Sequence, residues 1–196
     1  MKKILALICC LAVVLSFTSC KIRYITKNGL ENFNHGDSPI ELTYMVPGKY
    51  IESFPYLNGD YWYHQKCEDL ALFCEKFILY LQYDAETYDL AKSAALNHNK
   101  IKLDQQEPEL TIGMYDFYLS GLESRFESQY TNRTIYMYLA FNEVEKTVCF
   151  LCLHSSNNTN KEETKAIDNL YATEGLKGII DEYFIEWYDF YATNNA

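Results

Sequence analysis

The clearest pattern in the chain is the run Phe77-Ile-Leu-Tyr-Leu-Gln-Tyr83. On an extended backbone Phe77, Leu79, Leu81 and Tyr83 share one face while Ile78, Tyr80 and Gln82 share the other, which predicts a central strand covered on both sides. Before it, Asn58-Gly59 signals a turn into Asp60-Tyr-Trp-Tyr-His-Gln-Lys66. A helix over 60–76 competes for this region, but Leu70-Ala-Leu-Phe73 is a continuous apolar run with no helical stripe around it. Ile40-Glu-Leu-Thr-Tyr-Met-Val46 has the β-branched and aromatic content of a strand and ends at Pro47-Gly48. Further strands are expected over about Leu110–Leu119, Thr134–Phe141 and Lys146–Leu153, the last two joined by a link of hairpin length, Asn142-Glu-Val-Glu145.

Two segments read as helical. Asp84 has the chemistry of an N-cap and Glu86 falls in the first turn of a helix running to about Asn97, with a narrow face formed by Tyr88, Ala91 and Ala95 and flanked by Leu90 and Ala94. Small residues on that face let a helix lie close on a sheet. The polar stretch 99–109 contains Pro108 and reads as a loop. From Glu162 to Tyr191 the apolar stripe is Leu176, Ile180, Tyr183 and Trp187, with Gly175 and Gly178 suggesting a break. The fold class expected is α+β: a mainly antiparallel sheet of five or six strands, one helix after the second or third strand and a C-terminal helical segment, in a single domain over 39–196.

The N-terminus changes the picture from fold to address. Met1-Lys2-Lys3, the apolar run Ile4–Phe17 and Thr18-Ser19-Cys20 make the charged, apolar and small-residue zones of a secretory signal over 1–19. The apolar run falls short of the ~20 residues that a spanning helix needs. A cysteine directly after two small residues resembles a bacterial lipobox, with Phe17 where a leucine is usual, so Cys20 is the expected lipidation site with the chain cut just before it; the alternatives are cleavage by an ordinary signal peptidase or retention as an anchor. Several acyl chains at ~0.8 kcal/mol per buried methylene would then hold the protein at the extracytoplasmic face of the cell membrane, with membrane lipid as a partner. Residues 20–38, polar and rich in Asn, Gly and Asp, read as a tether.

Loss of Lys2 and Lys3 with the signal leaves 15 basic against 27 acidic side chains, a formal charge of -12. That argues against a nucleic-acid partner, whose phosphates require a basic surface. Lys21, Arg23 and Lys27 cluster early in the tether, where they could sit against anionic headgroups or simply be solvated.

Of seven cysteines, Cys9 and Cys10 leave with the signal and Cys20 takes lipid. Cys149-Phe-Leu-Cys152 has the spacing of a redox or zinc motif, but on a strand residues three apart point to opposite faces, so buried thiols are the better reading. Cys67 and Cys74 flank the expected hairpin connection and could pair across it in an exported protein. Cys152 and His154 share a strand face and, with His64, could form a zinc or nucleophilic site. The plainer reading is a strand-end histidine beside a core thiol. Asp181, Glu182 and Glu186 crowd the last helix, where acids are usually solvation. No nucleophile elbow, phosphate loop, zinc helix or calcium loop is present in the sequence, and nothing calls for a cofactor or metal.

Asp60-Tyr-Trp-Tyr63, followed after a gap by Phe77-Ile-Leu-Tyr-Leu-Gln-Tyr-Asp-Ala-Glu-Thr-Tyr88, resembles a pattern in small uncharacterised lipoproteins of gut-type Gram-positive bacteria. Phe141-Asn-Glu-Val-Glu-Lys-Thr-Val-Cys-Phe-Leu-Cys-Leu153 is similar to their terminal hairpin. The resemblance spans about 60–154 and implies no activity and no site residue.

Aromatic residues are the most unusual feature: 18 Tyr, 11 Phe and 2 Trp. Tyr61-Trp62-Tyr63 on a strand and Trp187, Tyr188 and Tyr191 on the last helix could present rings to a glycan or protein partner, although aromatics also fill sheet cores. Side chains alternate along a strand, so Trp62 must face away from Tyr61 and Tyr63, and Trp187 and Tyr188 pose the same choice on the helix. The binding surface expected on these grounds is Trp62 and Tyr188. The function expected is a non-catalytic surface or binding module, with an exported hydrolase of unrecognised site as the alternative.

Overall fold

A computed structural model describes residues 23–33, 44–68, 72–122, 133–157 and 161–187. The signal, Cys20 and Tyr188 lie outside these residues.

The chain runs β1 (Arg23–Asn28), a 3-10 turn (Leu30–Asn32), α1 (Tyr50–Ser53), β2 (Asn58–Glu68), β3 (Leu72–Gln82), α2 (Ala85–His98), β4 (Leu110–Ile112), β5 (Tyr115–Leu119), β6 (Arg133–Asn142), β7 (Thr147–Asn157), α3 (Lys161–Tyr183) and α4 (Ile185–Trp187). Among the described residues the strands form one seven-stranded sheet in the order β1-β2-β3-β7-β6-β5-β4, each pair antiparallel. The two-sided apolar pattern of β3 places it inside the sheet, where β7 pairs with it from Leu72 opposite Asn157 to Gln82 opposite Thr147.

Helices cover both faces. On one side Tyr61, Phe77, Leu79 and Phe150 pack beneath Tyr50 of α1 and Tyr88, Ala91 and Ala95 of α2. On the other, Ile78, Tyr138, Cys149 and Leu151 pack beneath Ile167, Leu176, Ile180 and Trp187. Each fully buried aliphatic or aromatic side chain of this kind contributes ~1.5–3 kcal/mol. The result is a helix–sheet–helix sandwich in the α+β class. Among the described residues no helix is long and apolar enough to cross a membrane.

Local chemistry accounts for the best-defined junctions. The Asp84 side chain accepts from the Thr87 amide at 2.8 Å, capping α2 as its sequence predicts, and that hydrogen bond holds the Asp84 carboxyl below its ordinary range. At the other end of α2 the buried Asn99 donates to the carbonyls of Met45 (2.8 Å) and Ala95 (2.9 Å) and accepts from Ser120 Oγ (2.8 Å), so one amide ties three segments together. Between β6 and β7, Asn142 Oδ1 accepts from the amides of Val144 and Glu145 at 2.9 and 3.0 Å, and the chain returns through Lys146 at φ 56°. The expected hairpin over 134–153 is therefore present.

The structure differs from the sequence reading in instructive places. The expected five or six strands become seven because Leu110–Leu119 is two short strands that turn at Gly113 (φ 60°) and Met114, and because Arg23–Asn28, read as spacer, adds to the edge of β2. Tyr44–Val46, the described part of the expected strand 40–46, is not extended in a sheet; Met45 and Val46 are instead buried against the α2 face. The C-terminal helix breaks at Gly175 (φ 66°, ψ -157°), a backbone region open almost only to glycine.

Candidate functional site

Three places in the fold bring chemistry-bearing residues together. The first surrounds Trp62. Tyr61 and Tyr63 turn inward beneath the α2 side, and Trp62 faces the α3 side. Its ring is half-buried, stacked on His64 at 5.7 Å between centroids and 12° between planes, with Lys76 Nζ 4.9 Å from its centre. Lys76 also donates to the Tyr183 carbonyl at 2.6 Å, a cation at the C-terminal end of α3, and His64 Nδ1 lies 3.1 Å from Thr26 Oγ1. Trp62 is thus held in a polar stack rather than displayed as a bare ring. Trp187 is fully buried, edge-on to Tyr115 and Phe117 at 5.0 and 4.9 Å.

The second place is a polar row inside the α2 face. Register aligns Gln65, Glu75, His154 and Ile135 across four adjacent strands. Glu75 Oε2 stands 3.6 Å from His154 Nδ1, while Glu75 Oε1 accepts from Gln65 Nε2 at 2.7 Å and from the Tyr63 hydroxyl at 3.4 Å. Both partners are nearly sealed, Glu75 at 3% exposure and His154 at 4%. Cys152 lies one position along the same face, opposite Phe77 and Met137, and is fully buried.

Cys152 and His154 therefore share a face as their spacing predicts, but His64 does not join them. It pairs in register with Lys76, on the opposite side of the sheet, because side chains on β2 alternate and Gln65 takes the inner position. Cys149 faces the α3 side, away from Cys152. Burial pushes the Cys149 thiol far up, with a hydrogen bond from the Trp187 indole acting the other way, so it is a core thiol and not a nucleophile. Cys67 stands opposite Phe73 and Cys74 opposite Lys66, in staggered rather than facing positions; their side chains lie outside the described set. Among the described residues no group of three or more His, Cys, Asp or Glu side chains is placed to hold a metal ion. Asp181 pairs with Lys177 one turn away on the solvent side of α3, and Glu182 is exposed.

Sequence reasoning missed Glu75. The available signal was an acid on an otherwise apolar set of alternating positions, between Phe73 and Phe77.

The third place is a surface cavity of about 510 Å³ between the 3-10 turn and α1, lined by Leu30, Glu31, Phe33, Lys49, Ile51, Glu52 and Tyr56. The Gly29 amide donates to the Tyr61 carbonyl at 2.8 Å, which fixes where the 3-10 turn leaves the sheet. The Phe33 ring meets Tyr61 edge-on at 5.3 Å, so that wall is braced by the core. Lys49 caps α1 in the left-handed region (φ 60°, ψ 19°), an unusual backbone for a side chain other than Gly, Asn or Asp. Leu30 and Ile51 supply apolar wall, Phe33 and Tyr56 supply rings, and Glu31, Glu52 and Lys49 supply charge. Its volume falls within the range of small-molecule sites, and it opens broadly to solvent. No sequence motif marks it, since its two walls come from segments that meet only when β1 joins the sheet.

Comparison with protein-family models, with curated proteins and with solved structures finds no match to this chain.

Proposed function

We propose that the protein is an exported lipoprotein, anchored through Cys20 at the extracytoplasmic face of the cell membrane, that binds a small ligand in the cavity between the 3-10 turn and α1. The observation that carries this reading is the cavity itself: about 510 Å³, with two rings, two carboxylates and one lysine around apolar wall. Two carboxylates beside two aromatic faces favour a cationic nitrogen attached to an apolar body, because charge pairing and cation–π attraction act on the same group. Lys49 adds a position for an acceptor on the ligand. An exported hydrolase is the weaker reading, because Cys152 and His154 are closed to substrate by burial.

The test is a thermal-shift screen of the detergent-solubilised full chain against polyamines, quaternary amines and basic dipeptides, followed by calorimetry. A ligand present at a hundred times its Kd stabilises the folded state by ~2.7 kcal/mol. Binding is expected for at least one class and is expected to be lost in Glu52→Gln and Tyr56→Ala. Binding unchanged in both variants, or no shift with any class, overturns the proposal.

A further inference from the structure

Lipid attachment at Cys20, on which this inference rests, has a geometric consequence that follows from β1. The strand begins at Arg23, and its six residues pair with β2 from Arg23 opposite Cys67 to Asn28 opposite Trp62. Two residues, Lys21 and Ile22, separate the lipid-bearing cysteine from a fixed point of the sheet, so three Cα steps give a reach of at most ~10 Å. A chain that short cannot let a domain of this size swing freely above a bilayer. It also selects which end of the domain lies nearest. The start of β1 stands at the end of the sheet where β2 finishes at Glu68, β3 begins at Leu72 and β7 finishes at Asn157. The opposite end carries the β6–β7 turn and the 3-10 turn, where Leu30 Cδ2 lies 3.1 Å from the position of a Cβ on Gly59. Eleven residues of β3 separate the two ends, about 35 Å at ~3.3 Å per residue.

We infer that the domain is seated on the headgroup surface of the bilayer by the end of the sheet at which β1 begins, and holds its cavity on the membrane-distal side. The occupant of that end is the lipid surface, assigned by the length of chain between Cys20 and Arg23. The orientation is therefore set by the short covalent link and is insensitive to salt.

The experiment uses the lipidated full chain in phosphatidylcholine–phosphatidylglycerol vesicles containing a headgroup spin-labelled lipid. In a Cys67→Ser/Cys74→Ser background, a fluorophore is placed at Arg133→Cys, on the membrane end of β6 and several strands from the anchor, or at Val144→Cys, 68% exposed at the far end. Quenching is expected to be several-fold stronger at the first position, unchanged by salt, and equalised by a flexible Gly-Ser insertion of about six residues after Lys21. Equal quenching at both positions without the insertion, in protein that carries labelled fatty acid, overturns the seating and leaves the anchor intact. Failure to incorporate labelled fatty acid, or equal incorporation in Cys20→Ala, overturns both.

Discussion

Glu75 and His154 face each other across β3 and β7, Oε2 and Nδ1 3.6 Å apart, in the interior of a face otherwise occupied by rings and aliphatic side chains. A buried acid is tolerated when other groups satisfy its oxygens; here Gln65 and Tyr63 donate to Oε1, and Oε2 is left facing His154. Removing one partner of such a pair leaves a buried polar group of the other unsatisfied, at a cost of ~1–3 kcal/mol. His154→Ala is therefore expected to lower stability in urea melts by that amount. Replacing both partners by apolar residues of similar volume should cost clearly less. A single-substitution cost below about 1 kcal/mol would show that the pair has no structural role.

Trp187 and Trp62 should separate in the same assay. Trp187 is fully enclosed between Tyr115 and Phe117, so Trp187→Ala leaves a large cavity and should cost ~3–5 kcal/mol. Trp62 is half-buried and stacked on His64 beneath Lys76, so Trp62→Ala removes a surface stack and should cost less than half as much. Equal losses would place Trp62 in the core.

Gly175 offers a test of backbone strain free of steric contact. A Cβ added there meets nothing within 4 Å, yet φ is 66° and ψ -157°. Gly175→Ala should still destabilise by ~1–3 kcal/mol, because the penalty is conformational. A neutral substitution, measured by thermal and urea melts, would mean that α3 runs through this position without its break.

Alkaline stability follows from the tyrosines. Burial pushes the Tyr80 hydroxyl up to about 12, helped by the nearby Cys149 thiol and Glu145, and burial with Asp168 beside it pushes Tyr136 to about 12. In the unfolded chain these groups ionise near ~10. The folded state thus keeps protons that the unfolded state has lost, and stability present below pH ~10 falls as pH rises towards ~12. Absorbance near the phenolate band, followed beside circular dichroism, should show delayed ionisation that ends in unfolding. Ionisation of every tyrosine near pH ~10 with the fold intact would refute this.

Elements with a local cause are legible in the chain. Alternation along Phe77–Tyr83 demands a strand covered twice, Asp84 supplies the oxygen that starts α2, and Asn142 with a short link turns β6 into β7. Each of these depends on neighbours within a few residues, so a pattern reader can find it. Gly175 likewise announced the break in the C-terminal helix, because only glycine takes that backbone readily. The remaining features arise from pairing between segments distant in the chain. Arg23–Asn28 has little apolar periodicity and becomes a strand because β2 offers it an unpaired edge. Glu75 meets His154 only because β7 inserts between β3 and β6, so a row of side chains is assembled from strands far apart in the chain. The cavity has the same origin: its walls, residues 30–33 and 49–56, are separate segments of the chain, and backbone pairing at the sheet edge brings them to one place. Periodicity encodes which face of a strand is apolar, but it carries no information on which strand lies alongside, and that pairing sets every contact between distant residues.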